Sequence, residues 1–171
     1  MKFAIIIRGP AGVGKSSISN KLKEEIPNLI HIDIDKFKHI ISKESNTTRS
    51  KIAQDVGIFF IKQLIKNKYN IIVDEIFREK YYYQMIRVLE KNNYSVIKIF
   101  LCASTKNLIK RDKKRLKNKG KEIIIKLEKE IRPLNGDIII DTNNKSVRQI
   151  INQILKILSF NKLLGPSQYK I

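Results

Sequence analysis

The chain has 171 residues, 42% apolar and 30% charged, which suits one folded domain and excludes a disordered protein. No apolar run approaches the roughly 18 residues of a membrane span, and the single cysteine excludes an internal disulfide, so we expect a cytoplasmic protein with no membrane partner. The formal net charge of +19 makes nucleic acid a possible partner, but the basic residues are spread along the whole chain rather than gathered in one patch.

Apolar runs of strand length alternate with stretches of helical periodicity, which predicts a parallel sheet crossed by helices. The predicted strands cover residues 2–7, 29–33, 69–74, 95–101 and 137–141. The predicted helices cover residues 15–25, 48–67, 79–92, 104–118, 121–131 and 146–159. We therefore expect a three-layer α/β domain over 1–159, with helices on both faces of a five-stranded parallel sheet, followed by a tail over 160–171. Within 48–67, an apolar stripe at helical spacing indicates the buried face: Ile52, Val56, Phe59, Phe60 and Leu64.

The segment RGPAGVGKSS, residues 8–17, directly follows the first strand. It fits the pattern GxxxxGK(S/T), in which bare backbone N–H groups and the positive end of the next helix bind the phosphates of a nucleotide. The pattern predicts the P-loop NTPase fold, with Lys15 at the β- and γ-phosphates and Ser16 on Mg²⁺. No Asn-Lys pair continues into the guanine-reading NKxD motif, so we expect ATP rather than GTP. The expected nucleotide contacts are Gly9, Ala11, Gly12, Val13, Gly14, Lys15, Ser16 and Ser17.

Acidic residues end the second and third strands, where reacting groups collect in parallel sheets. Asp33 and Asp35 end the first of these, and Asp74 and Glu75 end the second. Together with the glycine loop, this resembles the P-loop small-molecule and polynucleotide kinases, a group that includes shikimate-kinase-like, chloramphenicol-phosphotransferase-like and zeta-toxin-like proteins. The resemblance implies that Asp35 is the general base and Asp33 a Mg²⁺ or substrate contact, although their order stays open. Asp74 is the expected Mg²⁺ carboxylate, Glu75 serves either metal or substrate, and the alternative for Asp35 is a helix cap.

A basic segment follows the fourth strand, and its Arg111 and Arg115 lie four residues apart. It resembles the RxxxR lid of the same kinases, which implies a lid over about 106–121 whose arginines neutralise the transferred phosphate; the alternative is ordinary surface charge. The ending after the fifth strand also resembles theirs, which implies that Thr142 lies in the base pocket.

The acceptor region is expected over about 36–65, with substrate contacts from Asp35, Lys38, Arg49 and Glu75. The resemblance implies an ATP- and Mg²⁺-dependent kinase that phosphorylates a hydroxyl group of a small molecule. One alternative is a polynucleotide 5′-hydroxyl kinase, although Lys38 then replaces the expected arginine and loses its bidentate fork. Another is a nucleotide-binding regulatory protein without metabolite turnover, and no oligomeric state is predicted.

Overall fold

A computed structural model describes residues 2–41, 45–76, 79–116 and 118–165. The strands are β1 (Phe3–Arg8), β2 (Leu29–Asp33), β3 (Asn70–Asp74), β4 (Ser95–Cys102) and β5 (Ile138–Asp141). The helices are α1 (Lys15–Glu25), α2 (Ile34–Ile40), α3 (Asn46–Lys66), α4 (Glu79–Glu90), α5 (Thr105–Lys113), α6 (Lys121–Glu130) and α7 (Val147–Phe160). The prediction of alternating strands and helices is thus confirmed, with α2 as an added short helix. Residues 166–171 of the predicted tail lie outside the described residues.

The five strands form one parallel sheet in the order β2-β3-β1-β4-β5. β1 is central and pairs in parallel with both β3 and β4. Because the order reverses beside β1, the loop after β1 opens at the switch point of the sheet, where ligands bind in open α/β folds. The carboxyl end of β3 lies beside it, with Asp74 opposite Ile7.

Alternate residues of β1 enter two separate apolar cores. Phe3, Ile5 and Ile7 pack with the core formed against α1 and α7, where Leu22 and Ile154 are also fully buried. Ala4 and Ile6 pack on the other face, in the core that contains side chains of α3 and α4. Burial on both faces explains why this strand is a continuous apolar run rather than an alternating one. Helices therefore cover both faces of the sheet, as predicted.

The apolar stripe predicted to be the buried face of α3 is wrong in four of its five positions. Phe59 is 63% exposed, and Ile52, Val56 and Phe60 are also exposed, while Leu64 is buried. The buried face instead contains Ala53, Gln54, Gly57, Ile58, Ile61 and Leu64. The reason is contact with α2, because a Cβ on Gly57 would lie 2.3 Å from Ile34 Cδ1, so the helices approach where a side chain is missing. Periodicity alone did not distinguish the two faces.

Among the described residues, no helix combines the length and the apolar character that crossing a bilayer requires.

Candidate active site

The loop between β1 and α1 has no room for a side chain at Gly9 or at Gly12. Gly9, Gly12 and Gly14 have φ of 145°, 82° and 102°. A Cβ on Gly9 would lie 2.3 Å from the Leu101 carbonyl oxygen, and one on Gly12 would lie 2.7 Å from that of Leu108. The loop is thus seated against β4 and α5, and its shape depends on glycine for both conformation and space.

This loop borders a cleft of about 240 Å³, called the loop cleft here. Cationic side chains line much of it: Lys15, Arg111, Arg115 and Lys119. The Lys15 ammonium donates to the carbonyl oxygens of Gly9 (2.9 Å) and Pro10 (3.2 Å). Burial lowers the pKa of Lys15 below its ordinary value, against the attraction of Asp74, Asp35 and Glu75. A half-buried cation on a glycine loop suits a multiply charged anion such as a triphosphate.

Asp74, which is 2% exposed, also lines the loop cleft. Ser16 Oγ donates to its Oδ2 at 2.8 Å. Its other oxygen, Oδ1, is hydrogen-bonded by His31 Nε2, and His31 Nδ1 lies 2.9 Å from Asn20 Oδ1. Both carboxylate oxygens of Asp74 are therefore fixed in orientation. Nothing in the sequence spacing connects His31 with Asp74, so the sequence analysis missed this contact.

Asp33 and Asp35 have different positions at the start of α2. The Asp33 side chain caps the helix by accepting from the Asp35 amide (3.1 Å), so the cap is Asp33 and not Asp35. Burial raises the pKa of Asp33, as do the charges of Asp74 and Asp35. Asp35 lies two residues further on, in the first turn of α2, and lines the loop cleft. The capping alternative for Asp35 is therefore wrong.

A second cleft of about 420 Å³ lies between α2, α3 and α6, and is called the α3 cleft here. Its polar wall includes Lys38, Gln54 and Glu75. Lys38 Nζ contacts Asp35 Oδ1 (2.9 Å) and Glu75 Oε1, while Gln54 Nε2 donates to Glu75 Oε2. Glu75 therefore belongs to this cleft and Asp74 to the loop cleft, a separation that adjacent residues at a strand end did not reveal. Gln54 lies in the region 36–65 that the sequence indicated for the acceptor, and it lines this cleft.

The protonation state of Asp35 depends on Lys38 and on its burial. Burial acts to raise the pKa of Asp35, but the charge and hydrogen bond of Lys38 outweigh it, so the pKa lies below the ordinary value. Burial would lower the pKa of Lys38, yet Glu75 and Asp35 raise it. At neutral pH this arrangement therefore holds a carboxylate at Asp35 and an ammonium at Lys38. Asp35 lines both clefts, as do Ile76 and Lys119, so the two clefts adjoin one another.

The two arginines of the predicted lid both line the loop cleft, although only one belongs to α5. Arg111 Nη1 donates to Thr142 Oγ1 (2.8 Å), and Nη2 donates to the Thr142 carbonyl oxygen (2.7 Å). Thr142 is fully buried and supports Arg111, and its place near the nucleotide base stays a prediction. Arg115 follows the end of α5 and lies 3.7 Å from Asp112 Oδ1, so the two arginines do not share one helical face.

The residues present fit Mg²⁺ together with a bound triphosphate. The Ser16 hydroxyl and the Asp74 carboxylate are in contact and face the loop cleft. Among residues 2–41, 45–76, 79–116 and 118–165, no cluster of three or more His, Cys, Asp or Glu could hold a metal by itself. Mg²⁺ usually takes one or two protein oxygens and completes its shell with water and phosphate oxygens, so a sparse oxygen pair suffices.

A family model described as zeta toxin matches residues 1–153. No curated protein sequence matches the chain.

Solved structures with low sequence identity share the fold. The tunicamycin resistance protein of Deinococcus radiodurans has a TM-score of 0.71 and 14% identity, covering 92% of this chain and 96% of that chain. The APS kinase of Mycobacterium tuberculosis, in complex with AMPPNP and APS, has a TM-score of 0.69 and 16% identity, covering 92% and 98%. A gluconokinase from Sinorhizobium meliloti has a TM-score of 0.68 and 13% identity, covering 93% and 97%. These likenesses confirm the P-loop kinase fold.

Proposed function

Because the chain belongs to the zeta toxin family, we propose that it is an ATP- and Mg²⁺-dependent kinase that transfers the γ-phosphate to a hydroxyl group of a small molecule. We assign this activity to one domain over residues 1–159. In this proposal the loop cleft takes ATP and the α3 cleft takes the acceptor.

The observation that carries the proposal is the position of Asp35 at the junction of the two clefts. Phosphoryl transfer needs an acceptor hydroxyl opposite the γ-phosphate, with a base within hydrogen-bond reach of its proton. A carboxylate shared by an anion-binding cleft and a second, larger cleft satisfies both requirements. The volume of about 420 Å³ in the α3 cleft lies within the range of small-molecule sites.

In the proposed reaction, the acceptor hydroxyl oxygen attacks the γ-phosphorus, and the bond between that phosphorus and the β–γ bridging oxygen breaks. The hydroxyl proton passes to the Asp35 carboxylate, and ADP leaves with the bridging oxygen. Lys38 bonds to Asp35 Oδ1, which leaves Oδ2 for the acceptor. Glu75 and Gln54 contribute by holding Lys38 and the wall of the α3 cleft in place.

The remaining groups act on charge. Lys15 and the loop amides bind the β- and γ-phosphates, and Arg111 and Arg115 neutralise charge on the transferred group from the α5 side. Arg111 is held ready for this by Thr142. Mg²⁺, when bound by Ser16 and Asp74, supplies further neutralisation of phosphate charge.

Asp35→Asn tests the proposed base. We expect kcat to fall about 100- to 10,000-fold, the usual contribution of general acid–base catalysis, while ATP affinity stays within about threefold of the unmodified protein. Asp55→Asn is the matched control, since Asp55 is exposed on α3 and the charge change is the same. Equal loss of ATP affinity and turnover in Asp35→Asn would assign Asp35 a structural role instead.

A panel of hydroxyl acceptors with radiolabelled ATP tests the acceptor class. The panel contains nucleosides, sugars, hydroxylated antibiotics and 5′-hydroxyl oligonucleotides. Transfer to small molecules supports the proposal, whereas transfer confined to oligonucleotides would establish the polynucleotide alternative. ATP binding without transfer to any member would favour the regulatory alternative.

A further inference from the structure

The charges that line the α3 cleft are not balanced by one another. Three cationic side chains line it, Lys38, Arg49 and Lys119, against two carboxylates, Asp35 and Glu75. Lys38 contacts both of those carboxylates. In the part of the chain that the structure describes, neither Arg49 nor Lys119 has a carboxylate at ion-pairing distance.

Arg49 is the more informative of the two. It is half-buried near the start of α3 and lines the cleft. Its Nε is cut off from solvent and has no hydrogen-bond partner among the described residues. A buried donor without a partner costs about 1–3 kcal/mol, and native proteins keep few of them. Arg49 therefore lines the cleft with hydrogen-bonding capacity that no described residue uses at Nε.

We propose that Arg49 is the specificity-determining residue of the acceptor site and binds an anionic group, a phosphate or a carboxylate, carried by a small polyhydroxyl acceptor. This inference rests on the proposed function, since it takes the α3 cleft as the acceptor site. The planar guanidinium pairs with two oxygens of such a group at once and stays charged at every working pH. Lys119, which lines both clefts, adds a second positive charge.

The arrangement also orients the acceptor. Asp35, Glu75 and Lys38 together carry two negative charges and one positive charge, whereas the unpaired positive charges of the cleft are on Arg49 and Lys119. An acceptor with a hydroxyl at one end and an anionic group at the other therefore binds in one direction. The neutral polar side chains of Asn46 and Ser50 remain for further hydroxyl groups.

Binding measurements test this independently of turnover. The protein is saturated with Mg²⁺ and a non-hydrolysable ATP analogue, so that the loop cleft is occupied, and is then titrated calorimetrically with glucose, glucose 6-phosphate and gluconate. We expect at least one anionic sugar to bind at least about tenfold more tightly than glucose, because a charge-assisted hydrogen bond contributes that much or more. Preference for glucose 6-phosphate identifies a phosphate site, and preference for gluconate a carboxylate site.

Arg49→Gln should remove about 10- to 100-fold of the affinity for the preferred anion and leave glucose unchanged. Arg49→Lys keeps the positive charge but loses the bidentate guanidinium. Its affinity for the preferred anion should lie between that of the unmodified protein and that of Arg49→Gln. Arg87→Gln is the control, because Arg87 is exposed in the last turn of α4 and the net charge change is the same. Unfolding in urea checks that each variant is folded.

Two results would overturn the inference: Arg49→Gln binding the anionic sugars as the unmodified protein does, or glucose binding as tightly as both anionic sugars. Anion binding that depends on Arg49, without transfer to any acceptor, would refute the kinase proposal and leave the anion site standing. Phosphoryl transfer to neutral acceptors that Arg49→Gln does not affect would refute the anion site and leave the kinase proposal standing.

Discussion

Replacing Arg8 with methionine removes the cation from a buried ion pair beside the glycine loop. Arg8, the last residue of β1, places Nη1 2.8 Å from Asp137 Oδ2, and the two side chains are 2% and 0% exposed. Arg8 Nη2 donates to the Arg132 carbonyl oxygen (3.4 Å), and its guanidinium lies 4.5 Å from the centroid of the Tyr82 ring. The pair thus joins the strand that enters the loop to the segment that leaves α6.

The size of the stability loss depends on which hydrogen-bond donors Asp137 retains in Arg8→Met. Its carboxylate retains the Tyr82 hydroxyl and the Leu134 amide as donors but loses its counter-charge, and breaking a buried pair from one side costs about 3–5 kcal/mol. Loss of the cation–π contact adds about 1 kcal/mol, while removal of Arg8 Nε, which is buried without a partner, offsets about 1–3 kcal/mol. We expect the free energy of unfolding to fall by about 3 kcal/mol, and Tm to fall by roughly 6–12 °C in a chain of this size.

Urea unfolding followed by circular dichroism measures this loss in Arg8→Met, Asp137→Asn and the double variant. The double variant should cost less than the sum of the single variants by more than about 1 kcal/mol, because each single change leaves a buried charge unpaired. Lys21→Met, which breaks an exposed pair with Glu24, should change stability by less than about 0.5 kcal/mol. A loss below about 1 kcal/mol in Arg8→Met, or additive single effects, would refute the reasoning.

Three further changes test the loop and the reassigned face of α3. Gly12→Ala should abolish detectable ATP binding in a fluorescence titration, because its Cβ would meet the Leu108 carbonyl oxygen; Gly120→Ala, also at positive φ but with open space around it, should bind ATP normally and lose only about 1 kcal/mol of stability. Burial lowers the pKa of Lys15 below 10.5, so ATP affinity should weaken as the pH rises through that lowered value and the ammonium is lost, by at most about tenfold per pH unit. In Lys15→Met, ATP affinity should not depend on pH in this way between about pH 7 and 10. An ATP affinity of the unmodified protein that does not change with pH would contradict the role of the Lys15 ammonium in phosphate binding. Phe59→Ser should change the free energy of unfolding measured in urea by less than about 0.5 kcal/mol, because the side chain is exposed. A loss of about 2 kcal/mol or more would show that Phe59 is buried, as the periodicity predicted.

Local sequence determined the fold and the loop because both depend on short-range patterns. An apolar run such as FAIII is buried on both faces of a parallel sheet, and the glycines after it have φ values that other residues rarely adopt. The carboxylates of Asp33, Asp35, Asp74 and Glu75 could be placed at one edge for the same reason, since parallel strands end together.

Only the tertiary structure decided which partner each of those side chains has. Adjacent residues of an extended segment point to opposite sides, so Asp74 and Glu75 enter different clefts, and His31 reaches Asp74 from a neighbouring strand. The face of α3 that is buried depends on the close approach to α2 at Gly57, and Arg111 depends on Thr142 from a segment 31 residues away. These contacts join residues distant in the chain through packing, and no periodicity along the sequence encodes them.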